Sequence, residues 1–196
     1  MQQAIVLPGG SARFCAEVEE ISGQDVRRCY QCGKCTAGCP LAFTMDLAPN
    51  QVMRMVQLGM ENEVLNSQAV WLCAYCLTCT VRCPRQISVG DVMDGLRILA
   101  RQKGILGSGR GRRVALFNES FLASVKRLGR FYEFGAMLLY NLKSGRLFQN
   151  ADVGLKMFLR GKLKLGTTRV KKIAEMRNIF KQRLPAVRQE RQGVRR

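Results

Sequence analysis

The chain has 196 residues, 47% of them hydrophobic, and a formal net charge of +18 at pH 7. This hydrophobic content excludes a chain that is disordered throughout, and the length suits one domain or one domain with a helical extension. The sequence contains no histidine. Cys₂His₂ zinc sites, histidine general bases and Rieske-type clusters are therefore excluded.

The N-terminal residues show no targeting pattern. Pro8, Gly9 and Gly10 interrupt the first apolar residues, so we expect no secretory signal. No apolar run approaches the ~18–20 residues of a spanning helix, and we expect a cytoplasmic protein. Nine cysteines in such a chain indicate metal binding or redox chemistry rather than a disulfide framework. The isolated Cys15 is predicted to be a small buried side chain.

Two cysteine runs share one spacing, C-x2-C-x2-C-x3-C-P. The first is Cys29, Cys32, Cys35, Cys39 and Pro40, and the second is Cys73, Cys76, Cys79, Cys83 and Pro84. This spacing is that of bacterial ferredoxins, in which thiolates occupy the iron corners of cubane clusters. Zinc is the alternative, but zinc sites use separated pairs of cysteines rather than a third at the same short step. The sequence therefore predicts two [4Fe–4S] clusters.

The ferredoxin pattern also predicts that the runs exchange ligands, because the fourth cysteine of each run ligates the other cluster. Cluster 1 is expected on Cys29, Cys32, Cys35 and Cys83. Cluster 2 is expected on Cys73, Cys76, Cys79 and Cys39. Such an exchange would hold the clusters close enough for electron transfer between them.

The residues around the runs favour helices, and no convincing strand pattern appears. Between the runs, Pro49 suits the start of a helix that ends near Gly59, and Ser67 suits a second helix cap. After the second run, Ser88-Val-Gly-Asp91 resembles a capping box for a helix that closes at Gly104. We therefore predict an all-α fold, with a helical ferredoxin domain at residues 29–104 after an N-terminal extension at 1–28.

Beyond residue 104 the charge changes sharply. Residues 1–104 hold 10 Lys/Arg and 9 Asp/Glu, whereas residues 105–196 hold 22 and 5. A flexible glycine-rich linker is expected at 106–111. The linker would lie at the start of a basic helical extension at 105–184 that docks onto partner subunits, and a basic flexible tail would follow at 185–196. Helices are expected at about 113–127, 130–142, 152–160 and 167–183.

With these features together, the chain resembles the C-type iron–sulfur subunit of heterodisulfide reductase and its bacterial and archaeal homologues. The resemblance covers residues 25–104. It rests on Cys-Tyr-Gln-Cys-Gly-Lys-Cys-Thr-Ala-Gly-Cys-Pro from Cys29, on Trp-Leu-Cys-Ala-Tyr-Cys-Leu-Thr-Cys-Thr-Val-Arg-Cys-Pro from Trp71, and on Pro-Asn-Gln-Val-Met-Arg from Pro49. The same cysteine pattern also occurs in iron–sulfur subunits of succinate, glycolate and lactate dehydrogenase complexes.

The resemblance implies an electron-transfer subunit inside a cytoplasmic hetero-oligomer. It would take electrons from the A-type subunit, which contains flavin and Fe–S clusters. It would pass them to the B-type subunit, which carries clusters on Cys-Cys-Gly motifs. A hydrogenase or formate dehydrogenase module can join such a complex through the A-type subunit. This chain has no adjacent cysteine pair, so no catalytic residue is assigned to it.

Three other functions agree less well with the sequence. A self-contained cluster enzyme or regulator is disfavoured, since all eight patterned cysteines are used as ligands and no dinucleotide or nucleotide motif appears. Nucleic-acid binding is disfavoured because the Lys/Arg are scattered without a recognition signature. Basic amphipathic helices could also lie on an anionic membrane, but docking onto acidic partner surfaces is the favoured interpretation.

Overall fold

The computed structural model describes residues 11–145, 153, 156, 157, 159–161, 170, 173–175 and 178–180. The chain divides into two compact units, Met1–Val114 and Ala115–Arg196. The boundary predicted from the charge pattern lies near residue 104, ten residues before this division.

The described residues form helices and no strand, which confirms the predicted all-α fold. Two short 3₁₀ helices lie at Val26–Arg28 and Ala42–Thr44. The α-helices are α1 (Ser11–Ser22), α2 (Lys34–Ala37), α3 (Pro49–Gln57), α4 (Glu61–Asn66), α5 (Gln68–Leu72), α6 (Thr78–Val81), α7 (Val89–Gln102), α8 (Gly109–Leu128) and α9 (Glu133–Ser144).

Helix α7 forms the centre of the first unit. Its Met93, Leu96 and Leu99 are almost completely buried, and helices α1, α4, α5 and α6 pack against it. Each such side chain stabilises the fold by about 1.5–3 kcal/mol through removal of apolar surface from water. Gly95 allows the close approach of α1, because a Cβ there would lie 3.2 Å from the Cβ of Ser22.

The helix starts expected at Pro49, Ser67 and Ser88 are confirmed, but one of the expected capping interactions is not. Pro49 is the first residue of α3, and the Ser67 hydroxyl caps α5 by accepting a hydrogen bond from the Ala69 N–H at 3.0 Å. The Ser88 hydroxyl accepts from the Asp91 N–H at 3.4 Å at the start of α7. The expected capping box is not formed, because the Ser88 N–H donates to Gln24 Oε1 at 2.9 Å while the Asp91 carboxylate accepts from the Tyr75 hydroxyl.

Helix α1 is the main element that the sequence analysis missed. Residues 1–28 were predicted only as an extension, yet α1 contributes Phe14, Cys15 and Val18 to the core. Cys15 is only 2% exposed, which confirms its prediction as a buried side chain. Burial, and the nearby Glu19 carboxylate, raise the pKa of the Cys15 thiol, so this cysteine is held in its neutral form.

The prediction of a flexible linker at residues 106–111 is wrong. Gly109–Gly111 begin α8, and the Arg110 N–H donates to the Gln68 side chain at 3.0 Å. A Cβ on Gly107 would lie only 2.6 Å from the ring of Trp71. Glycine is thus required here by close packing against α5 and by a positive φ of 69°, rather than by flexibility.

In the second unit, α8 and α9 pack through aromatic side chains. Phe121 stacks on Phe131 with ring centroids 4.7 Å apart, and Phe117 meets Tyr140 edge to face at 6.2 Å. The helices predicted at 113–127 and 130–142 are therefore confirmed. Those predicted at 152–160 and 167–183 lie largely outside the described residues, and the tail at 185–196 lies wholly outside them. No helix among the described residues is long and apolar enough to cross a bilayer.

Candidate iron–sulfur centre

The first cysteine run forms a tight loop between the first 3₁₀ helix and α2. The Cys29 N–H donates to the Val26 carbonyl at 3.1 Å. Gly33 adopts a left-handed conformation, with φ of 76°, immediately before the short helix that carries Cys35. The Cys39 N–H closes the loop by donating to the Thr36 carbonyl at 3.1 Å. These bonds fix the course of the loop that carries the four cysteines of the first run.

The second run repeats this geometry. Leu77 occupies the position of Gly33 and is also left-handed, with φ of 60°. The Cys83 N–H donates to the Thr80 carbonyl at 3.2 Å, as Cys39 does to Thr36. A left-handed leucine costs on the order of 1–2 kcal/mol, and such strain persists only where the surrounding structure enforces it. The cluster loop is therefore under tertiary constraint.

In each loop, a threonine side chain forms a hydrogen bond with a residue at the start of a helix that follows the loop. The Thr36 hydroxyl donates to Asn50 Oδ1 at 2.6 Å and accepts from the Asn50 N–H at 3.0 Å. In the second loop, the hydroxyl oxygens of Thr80 and Ser88 lie 3.2 Å apart. The loops are thus held by side chains on α3 and at the start of α7.

A cavity brings together the first three cysteines of run one and the last cysteine of run two. It has a volume of about 330 Å³, including its opening to solvent, and all its lining residues are uncharged. The cysteines that line it are Cys29, Cys32, Cys35 and Cys83. Its remaining walls include Asn50, Met53, Ile87 and Val89.

The other four cysteines form a second group. Burial raises the pKa of the Cys73 thiol, and the nearby Cys39 and Cys76 sulfurs raise it further. Burial likewise raises the pKa of Cys79, and the charge that Cys73 and Cys76 would carry adds to this effect. These electrostatic couplings require the sulfurs to be close neighbours. Cys39 is therefore near the second run rather than confined to its own.

The two groups adjoin one another. Burial raises the pKa of the Cys35 thiol, and both Cys29 of the first group and Cys79 of the second contribute to the rise. Helices α2 and α6, which carry Cys35 and Cys79, pack together. Electrons passing between clusters on these two groups would therefore travel only a short distance.

Each run also presents one exposed cysteine, Cys32 in the first and Cys76 in the second. Hydrogen bonds from the side chain and N–H of Thr78 lower the pKa of Cys76. This effect favours the thiolate, the form that binds iron. A cluster held at either loop would have one edge close to solvent and accessible to a redox partner.

The donor sets suit multi-iron clusters. Eight thiols in two groups supply the four soft ligands that each cubane requires. Among the described residues, no three Cys, Asp or Glu side chains converge closely enough to hold a single metal ion. A wider spacing is expected of a cubane, because its four thiolates bind four different iron corners.

Asp46 was not singled out by the sequence, yet it supports the second cluster loop. Its carboxylate accepts hydrogen bonds from the N–H groups of Leu47, Gln68 and Ala69 and from the Ser67 hydroxyl, at 2.7–3.0 Å. Partial burial opposes ionisation of Asp46, but these hydrogen bonds outweigh it and lower its pKa. The carboxylate thus fixes the N-terminus of α5, which leads directly into Cys73.

We expect Asp46→Asn to lower the free energy of unfolding by about 1 kcal/mol at pH 7, because a charged helix cap is lost. The pKa of Asp46 is lowered in the folded chain, so its contribution is complete above the ordinary carboxyl pKa of about 3.9. The contribution then disappears as pH falls through the lowered pKa. Denaturant unfolding followed by circular dichroism at several pH values measures this difference between wild type and variant.

Asp25→Asn is the matched control for this prediction. Asp25 is exposed and makes no side-chain cap bond at the first 3₁₀ helix. Its replacement should leave the unfolding free energy within about 0.5 kcal/mol of wild type. Equal destabilisation by both variants would show that Asp46 contributes only net charge.

The region that contains the two cysteine runs is similar to known proteins. Residues 25–87 match the family described as a 4Fe–4S dicluster domain. The chain is 39% identical over 99 residues to the C-type iron-sulfur subunit of the CoB–CoM heterodisulfide reductase of Methanopyrus kandleri, covering 50% of this chain and 51% of that one. It is 40% identical over 81 residues to the C 2 iron-sulfur subunit of the same reductase in Methanocaldococcus jannaschii, covering 41% and 43%.

These relatives are C-type heterodisulfide reductase subunits, and the region of this chain that resembles them includes its 4Fe–4S dicluster domain. A third relative is the C-type subunit of the H₂:CoB–CoM heterodisulfide,ferredoxin reductase of Methanothermobacter thermautotrophicus, 30% identical over 93 residues and covering 47% of this chain and 50% of that one. The chain spans about half the length of the curated relatives that it matches. The family resemblance and the two [4Fe–4S] clusters predicted from the sequence are confirmed.

The dicluster domain at residues 25–87 holds two [4Fe–4S] clusters. Each cluster accepts and returns one electron when bound. The residues described above hold the loops in place, bring the two cysteine groups together and leave Cys32 and Cys76 exposed.

Proposed function

We propose that the chain is the electron-transfer subunit of a heterodisulfide reductase-like complex. In this role it relays electrons from a flavin-containing A-type subunit to a catalytic B-type subunit that carries Cys-Cys-Gly clusters. The observation that carries the proposal is the pair of adjoining cysteine groups, each with one exposed cysteine at which a partner cluster can approach. The names of the relatives, which describe them as subunits of larger reductases, support the same role.

The ligand assignment within this proposal is crossed. Cluster 1 is assigned to Cys29, Cys32, Cys35 and Cys83, and its support is the uncharged cavity that these four residues line. Cluster 2 is assigned to Cys73, Cys76, Cys79 and Cys39. Its support is the influence of Cys39 and Cys76 on the pKa of Cys73.

The basic extension at residues 105–184 is assigned to assembly. Residues 105–196 carry 22 Lys/Arg against 5 Asp/Glu. Several large apolar side chains of the second unit are exposed, among them Phe134, Leu138 and Leu142. A basic surface with an exposed apolar face is suited to an acidic protein partner, and we assign that partner as the B-type subunit. We assign no nucleic-acid or membrane partner.

Metal analysis tests the cluster content directly. Anaerobically purified protein is expected to hold about eight irons and eight acid-labile sulfides per chain, since each cubane contains four of each. Reduction should give the electron paramagnetic resonance spectrum of two magnetically interacting clusters. Stoichiometric zinc without sulfide would contradict the proposal.

Gentle native purification, followed by identification of the co-purifying chains, tests the place in the complex. We expect one flavin-containing chain and one chain with Cys-Cys-Gly motifs. Through the flavin-containing chain, a hydrogenase or formate dehydrogenase module can join them. Recovery of a succinate, glycolate or lactate dehydrogenase flavoprotein without a Cys-Cys-Gly chain would replace this assignment with the corresponding dehydrogenase complex.

A further inference from the structure

Each cluster loop receives hydrogen bonds from one side chain on a neighbouring helix. At the first loop this side chain is Gln57, at the end of α3. Its amide donates to the carbonyl of Cys29 at 2.9 Å and to the carbonyl of Val26 at 3.0 Å. The first cysteine of the run, and the residue three positions before it, are thus held by a neutral group.

At the second loop the equivalent bonds come from Arg97 on α7. Its guanidinium donates to the carbonyl of Cys73 at 2.6 Å and to the carbonyl of Val70 at 3.0 Å. Cys73 is the first cysteine of its run and Val70 lies three positions before it, as Val26 does before Cys29. The two loops therefore share one arrangement of hydrogen bonds but differ in the charge of the donor.

The positive charge of Arg97 is only partly screened. An arginine side chain is always charged in proteins, and this one is 22% exposed. Asp94 lies 4.0 Å from it but is itself 32% exposed, so the two form a loose pair rather than a neutralised one. The hydrogen bond to the Cys73 carbonyl places this charge beside the first cysteine of the second run.

We propose that Arg97 raises the reduction potential of cluster 2 above that of cluster 1, so that the transferred electron rests on the cluster held by the second run. The inference rests on the proposed electron-transfer function. Reduction adds one electron to the cluster without forming or breaking a bond, and a nearby cation stabilises the more negative state. One electron then leaves reduced cluster 1 and reduces cluster 2, with no proton transferred.

Other cations near the loops are less effective because they are more exposed to water and salt, which screen their charge. Arg82 rests against Gly38 near the end of the first run, and Arg85 lies beside Tyr30. Among the described residues, neither of these arginines donates a hydrogen bond to the carbonyl of a cysteine, as Arg97 does.

The test is a redox titration of the full chain with both clusters in place, monitored by electron paramagnetic resonance. In wild type we expect two midpoint potentials, with the higher one belonging to the second run. Arg97→Gln, which recreates the donor of the first loop, should lower that potential toward the other and leave cluster 1 unchanged. Cys32→Ser alters only the first run and Cys76→Ser only the second. The signal that changes in each variant therefore belongs to the cluster of that run.

Three further variants separate charge from structural support. Arg97→Lys keeps the charge without the guanidinium fork and should retain most of the potential difference. Gln57→Arg should raise the potential of cluster 1. Arg101→Gln removes an equal charge from an exposed position one turn further along α7 and should change neither potential.

Each possible result either supports or overturns the inference about Arg97. An Arg97→Gln chain with eight irons and unchanged potentials overturns it, as does a wild type in which the first run has the higher potential. Both results leave the electron-transfer function standing. If Arg97→Gln loses cluster 2, the Gln57→Arg variant tests the inference instead. A raised reduction potential of cluster 1 in that variant supports the inference, and an unchanged reduction potential overturns it. A wild-type chain without two clusters would instead contradict the proposed function.

Discussion

Replacing Cys83 with serine is expected to remove the cluster held by the first run, although Cys83 belongs to the second. The reason is geometric, since Cys83 lines the same cavity as Cys29, Cys32 and Cys35. Iron content should fall from about eight to about four per chain, because each cubane contains four irons. Cys39→Ser is expected to remove the other cluster, the one assigned to the run that begins at Cys73.

Spectroscopy of the reduced variants measures which cluster survives. Loss of one cluster also removes the magnetic interaction, so each variant should give the simple signal of an isolated centre. Cys15→Ser is the matched control, because Cys15 is buried in α1 outside both cysteine groups and should leave all eight irons bound. If Cys83→Ser removed the cluster of Cys73, Cys76 and Cys79 instead, the crossed assignment would be wrong.

The features that could be predicted from the sequence are those set by short-range chemistry. The cysteine spacing needs only the geometry of one loop, and Ser67 and Ser88 cap helices whose first N–H groups lie within three residues. Gly104 ends α7 because its positive φ suits glycine and few other residues. In all these cases the interacting atoms are neighbours in the chain.

The features that were missed depend on residues far apart in the chain. Helix α1 is stable because Phe14 and Val18 are buried and Ser22 meets Gly95, and nothing within α1 reveals that partner. Asp46 caps a helix that begins more than twenty residues later. The glycine-rich segment was mistaken for a linker because its packing against Trp71 is equally invisible in the sequence.

The equivalence of Gln57 and Arg97 illustrates the same limit at the candidate site. The two residues stand at different distances from their cysteine runs, one on α3 and the other on α7, and share no motif. Only their bonds to the carbonyls of Cys29 and Cys73 show that they perform matching roles. Prediction of cluster ligands from sequence is thus far easier than prediction of the groups that distinguish the clusters.

The second large effect is a loss of affinity for the B-type subunit, which we expect when the exposed face of α9 is changed. Phe134, Leu138 and Leu142 follow one another at intervals of four residues and therefore lie on one side of the helix. Leu138 is 51% exposed and Leu142 is 56% exposed, although both are large apolar side chains. This surface is where we expect the B-type subunit to bury apolar area against the extension.

The double variant Leu138→Glu/Leu142→Glu is expected to hold both clusters but to lose affinity for the B-type subunit. The loss should be about a hundredfold or more, since two buried leucines contribute several kcal/mol. The introduced carboxylates would also be placed in an apolar interface without a partner. Co-purification and a binding titration measure the affinity. Iron content and reduction by dithionite verify that the clusters are intact.

A matched control separates apolar contact from net charge. Asn118→Glu/Lys126→Gln changes the charge of the chain by the same two units, at exposed polar positions on α8. If the interface depends on the apolar face of α9, this control should assemble nearly as well as wild type. Equal loss in both variants would instead indicate that general electrostatic attraction holds the complex together.

Two other results would assign the extension differently. A Leu138→Glu/Leu142→Glu chain that assembles normally but no longer binds anionic vesicles would make α9 a membrane-surface helix. Normal assembly with a loss of DNA or RNA binding that depends steeply on salt would indicate a nucleic-acid surface. The assembly interpretation requires that the variant keep its clusters, accept electrons and fail only in passing them to its partner, because α9 lies outside the unit that holds the cysteines.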